Sequence, residues 1–94
     1  GYGDQKFAVE PRINRLTFYK GGDFVNIPTG IDHIALSRFL KTAEAGFLVV
    51  DERSIESAVK GFKDHSAAMN LEKLDLPEFH DYREYSFVVY RIRD

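Results

Sequence analysis

Leu16-Thr17-Phe18-Tyr19-Lys20-Gly21-Gly22-Asp23-Phe24-Val25-Asn26-Ile27 is the stretch whose reading decides the fold. Two alternating segments flank Gly21-Gly22, a dipeptide free to take the positive φ angles that both central positions of a type I′ hairpin turn require. A β-hairpin follows, pairing Lys20 with Asp23, Tyr19 with Phe24, Phe18 with Val25, Thr17 with Asn26 and Leu16 with Ile27. Side chains alternate between faces with period two. Leu16, Phe18, Val25 and Ile27 therefore share a core face, and Arg15, Thr17, Tyr19, Phe24 and Asn26 share the other.

Downstream, Pro28-Thr29-Gly30 ends the hairpin, and Thr29 or Asp32 caps a helix running to about Ala45. Leu36, Phe39, Leu40 and Ala43 follow its i, i+3, i+4, i+7 pattern, and Gly46 suits a left-handed C-terminal cap. Phe47–Val50 is a short apolar run, read as a central strand buried on both faces. Asp51 or Ser54 then starts a second helix with the stripe Ile55, Ala58, Val59, Phe62, Met69 and an outer Glu56–Lys60 pair, weakened by about 1 kcal/mol at Gly61.

Residues 70–82 form a polar connection anchored by Leu71, Leu74, Leu76 and Phe79, with Pro77 opposing regular structure through its middle. Tyr85–Ile92, rich in aromatic and β-branched residues, closes the sheet. Phe7–Glu10 reads as a short edge strand stopped by Pro11. The expected architecture is α+β in the order ββαβαβ, a mixed sheet of four or five strands packed against two helices. The strand–helix–strand steps are right-handed crossovers if the joined strands are parallel. Residues 1–94 form one domain. Gly1-Tyr2-Gly3-Asp4, without an initial methionine, reads as a tag remnant or a trimmed end, so residues 1–6 stand outside the fold.

With 94 residues, 44% of them hydrophobic and 30% charged, the chain has apolar mass for one core and polar cover for solubility. The absence of cysteine removes disulfides, thiolate nucleophiles and cysteine-ligated zinc, and points to a reducing, cytoplasmic setting. No apolar run approaches the roughly 18 residues that span a bilayer, so no membrane partner is expected. A net charge of −2 suggests neither a polyanion-binding surface nor a polyanion mimic.

No catalytic, metal or nucleotide motif stands out. Phe47-Leu48-Val49-Val50-Asp51-Glu52 has the apolar-then-acidic form that positions magnesium in nucleotide hydrolases, but no Gly-rich phosphate loop accompanies it. A buried strand entering a helix N-terminus, where acids suit the dipole, is the preferred explanation. His33, His65 and His80 are the candidate bases or ligands, and each adjoins an aspartate. Neighbours in sequence point in different directions on a helix, so these pairs imply no dyad. Serines 37, 54, 57, 66 and 86 lack a nucleophile elbow. No cofactor and no metal is expected.

Two surfaces remain. If Ser86, Val88, Tyr90 and Ile92 face inward, the outer sheet face gathers Arg15, Tyr19, Phe24, Phe87, Arg91 and Arg93. Aromatics beside arginines on an open sheet suit a protein partner or the stacked bases of single-stranded nucleic acid. Exposed strand edges also invite homodimerisation. The second surface is the acidic series Glu72, Asp75, Glu78, Asp81, Glu84, suited to a basic partner or to solvent. The leading expectation is a small non-catalytic interaction or regulatory module that binds a protein. Single-stranded nucleic-acid binding is the second reading, and a small hydrolase or nuclease with an unrecognised site is the third.

Overall fold

The computed structural model describes residues 13–76 and 85–93. The hairpin forms in the anticipated register: β1 (Leu16–Lys20) pairs antiparallel with β2 (Asp23–Asn26), with Thr17 opposite Asn26 and Lys20 opposite Asp23. Gly21 and Gly22 take φ angles of 58° and 92°, the left-handed pair such a turn needs. Beyond β3 (Ile31–Asp32), α1 (His33–Ala43) begins where the Asp32 carboxylate accepts the Ala35 amide at 2.8 Å, so Asp32 rather than Thr29 is the cap. The helix ends at Glu44, whose φ of 53° is left-handed, not at Gly46. Its amide and that of Ala45 donate to the Lys41 and Leu40 carbonyls. Leu36 and Leu40 are buried as the periodicity implies, whereas Phe39 is 43% exposed.

β4 (Phe47–Asp51) is central, between β1 and β7 (Phe87–Ile92), and β6 (Leu71–Leu74) closes the far edge. The order β2-β1-β4-β7-β6 is antiparallel at every pairing. Among the described residues parallel pairing is confined to the short ladder between β3 and β5 (Val59–Lys60), so the right-handed crossovers that parallel neighbours would require do not arise between the described strands of the main sheet. The α+β class stands.

Two parts of the chain depart from the sequence reading. The expected second helix is broken into a 3-10 turn (Glu52–Ser54), α2 (Ile55–Ala58), β5, α3 (Phe62–His65) and another 3-10 turn (Ser66–Met69). Val59 is extended at φ −135° and pairs with Ile31, and Gly61 turns the chain with φ 83°, a value L-residues rarely adopt. Glu56 does not pair with Lys60 along a helix; its carboxylate accepts the Lys63 amide at 2.7 Å, at the start of α3. The apolar stripe nevertheless points inward, with Ile55, Ala58, Val59 and Phe62 all buried. The second departure is β6, a strand within the expected irregular connection. Residues 7–10 lie outside the described part.

Both faces of the sheet carry packed apolar side chains. On the helix side Leu16, Phe18, Ile27, Leu48, Val50 and Val88 meet Leu36, Leu40, Val59 and Phe62. On the other side Ile13, Val49, Leu74, Phe87 and Val89 form a second cluster. Val25, expected in the core, is 42% exposed on β2, which is an edge strand among the described residues.

Candidate functional site

Antiparallel register carries side chains of one parity across the whole sheet. On the face away from α1 it sets Phe24, Tyr19, Phe47, Arg91 and Glu72 in one row over β2, β1, β4, β7 and β6. The three rings touch in series: Tyr19 and Phe24 are 5.0 Å apart between centroids at 57°, and Tyr19 and Phe47 are 6.3 Å apart at 60°. Tilted contacts at these distances align ring edges with ring faces, as the aromatic quadrupole prefers. All three rings are half-buried. Exposed Arg91 stands opposite half-buried Glu72, so charges of opposite sign end the row.

The next row explains why the rings are only half-covered. Asn26, Thr17, Val49, Val89 and Leu74 lie side by side, and all but Asn26 are buried. The Thr17 hydroxyl is satisfied locally: it accepts the Asn14 amide at 2.9 Å and is shared as donor between the Asn14 carbonyl and Asn26 Oδ1. Phe24, Phe47, Leu76 and Tyr85 pack around this second cluster. The aromatic row is thus the rim of a covered core, not the middle of a bare sheet.

Of the six residues expected to make contacts, Tyr19, Phe24 and Arg91 come together in that row. Phe87 has the expected parity but is 0% exposed, within the second cluster and stacked on Tyr85 at 5.0 Å, so it offers a partner no surface. Arg15 and Arg93 are exposed at opposite ends of the sheet. Arg15 accepts the Asp51 amide through its carbonyl, and Arg93 donates its amide to Asn70 beyond the end of β7. Phe47, read from sequence only as interior strand, is the row member that was missed; its place beside Tyr19 comes from the long-range register of β1 with β4, which no local pattern carries.

Within the acidic series, Glu72 is half-buried in the outer face and Asp75 is exposed, while Glu78, Asp81 and Glu84 lie outside the described residues. Neighbouring Lys73 reaches Glu52 at 3.7 Å, with both side chains well exposed, an ion pair of small energetic weight.

Asp51 has a structural occupation. Its buried carboxylate accepts the Ser86 amide at 3.0 Å and the Ser54 hydroxyl at 2.7 Å, tying the end of β4 to the start of β7 and to the following turn. Ser54 is therefore a donor to Asp51, not a helix cap. His33 and His65 stack with centroids 3.8 Å apart and planes within 6°, a pairing sequence gave no reason to expect. His80 lies outside the described residues. Among the described residues no three His, Cys, Asp or Glu side chains gather as a metal site. No helix there is long and apolar enough to cross a membrane.

At the other end of the molecule a groove of about 650 Å³ opens between the C-terminal turn of α1 and the 3-10 turn Ser66–Met69. Leu40, Met69 and Ile92 supply apolar walls, and Lys41, Glu44, Asn70 and Arg93 supply polar ones. Half-buried Tyr90, edge-on to Phe62 at 5.6 Å, has its hydroxyl pKa raised, first by burial and then by the Glu52 carboxylate.

No family model, curated protein or solved structure matches the chain.

Proposed function

We propose that this domain is a non-catalytic interaction module that engages a protein partner through the outer sheet face, centred on Tyr19, Phe24 and Phe47 with Arg91 beside them. The observation that carries this reading is the row of three half-exposed rings on three adjacent strands. Aromatic side chains bring large apolar area at low entropic cost, and with arginine they are the residues enriched at protein interfaces. Their placement at the rim of a packed cluster holds the rings in fixed positions, which lowers the ordering cost of association. β2 adds a second attraction: among the described residues its outer edge pairs with no strand, so a partner strand, including one from a second copy of the chain, has a template there. A reducing, cytoplasmic setting suits a chain without cysteine.

The test compares the wild type with Tyr19→Ser and Phe24→Ser, using Ile34→Ser, on exposed α1 surface, as control. Partners recovered from the native source by crosslinking should be lost in the first two variants and kept in the third, with circular dichroism unchanged in all. Sedimentation distinguishes a second copy from a foreign protein. An oligonucleotide titration at two salt concentrations covers the nucleic-acid reading, because phosphate contacts weaken steeply with salt. Equal recovery by all four proteins would overturn the assignment of this face.

A further inference from the structure

We infer that the groove between α1 and the Ser66–Met69 turn is a binding site for a small amphipathic carboxylate, separate from the aromatic face. Its volume, about 650 Å³, lies within the usual range of small-molecule clefts. Leu40, Met69 and Ile92 offer an apolar surface for a short hydrocarbon or aromatic body.

Charge selects the head group. Lys41 and Arg93 border the groove, and among the described residues neither is engaged in an ion pair. Among the described lining residues Glu44 is the single acid, so Lys41 and Arg93 outnumber it there in a chain of net −2. A helix C-terminus ordinarily repels anions through its free carbonyls. Here the Leu40 and Lys41 carbonyls are occupied by the Ala45 and Glu44 amides, which blunts that repulsion.

Glu44 and Asn70, at φ 53° and 57°, are the left-handed caps that end α1 and the Ser66–Met69 turn, and both border this groove.

The test is a chemical-shift titration of the full chain with octanoate, 3-phenylpropionate and, as the oppositely charged control, octylammonium. Octanoate or phenylpropionate should shift amides around Lys41, Asn70 and Ile92 with a Kd on the order of 1 mM or tighter. Lys41→Gln and Arg93→Gln, both at exposed positions, should each weaken binding by about two- to five-fold, and Glu44→Gln should leave it equal or tighter. The proposal is overturned if neither carboxylate shifts these amides, if octylammonium shifts them equally, or if the Lys41→Gln, Arg93→Gln double variant binds as the wild type does. These outcomes do not involve Tyr19 or Phe24, so they stand or fall apart from the protein-binding reading.

Discussion

Glu44 holds the αL position that ends α1 although its side chain is exposed and makes no contact that the helix requires. Relieving the Cβ clash with glycine should outweigh the added freedom of the unfolded chain. Glu44→Gly is expected to raise stability by about 0.5–1 kcal/mol, read as a higher urea midpoint at unchanged slope. Asp51 is the opposite case. Alanine there would strand the Ser86 amide and the Ser54 hydroxyl at a partly buried site, and the loss should be about 1–3 kcal/mol in the same measurement. That cost would follow from hydrogen bonding alone, with no metal or nucleotide involved.

At the scale of elements, Gly61 divides what looks like one helix. Its φ is 83°, and a Cβ there would stand 2.9 Å from His33 Nδ1 and 3.3 Å from His65 Cδ2. Gly61→Ala should therefore destabilise by about 1–3 kcal/mol and displace the imidazole stack, visible as shifted ring proton signals of both histidines. The hairpin was legible because its information is local: two glycines fix the turn, and the turn fixes the register. The 55–69 segment was misread because Ile55, Ala58, Val59 and Phe62 satisfy helical spacing while actually facing inward from three successive short elements. β6 was missed for a different reason. Leu71 packs with the helix-side cluster and Leu74 with the other, so an edge strand buried in part on both faces shows no alternation. The candidate face was legible as parity and not as burial: Ile13 and Leu74, which share the second cluster with Phe87, are remote in sequence from it and from each other.

For the whole molecule, the raised Tyr90 hydroxyl pKa links folding to alkaline pH. The folded chain holds that proton more tightly than the unfolded chain, so the contribution is intact below about pH 10, the ordinary tyrosine value. It is lost as pH rises through the folded value, where the unfolded state ionises first. Denaturation midpoints should fall across this alkaline range, and Tyr90→Phe should flatten the decline. Substitutions on the aromatic rim, by contrast, should change association far more than midpoint, because Phe24 and Phe47 border the second cluster without filling its centre and Tyr19 packs on those two rings.

β4 has antiparallel neighbours on both edges and apolar packing on both faces, with Leu48, Val49 and Val50 at most 1% exposed. Its peptide groups can meet solvent deuterium only when the entire sheet comes apart. The exchange rate of a single proton, the Val49 amide, thus becomes an internal gauge of the global unfolding free energy, on which every substitution above can be weighed without adding denaturant.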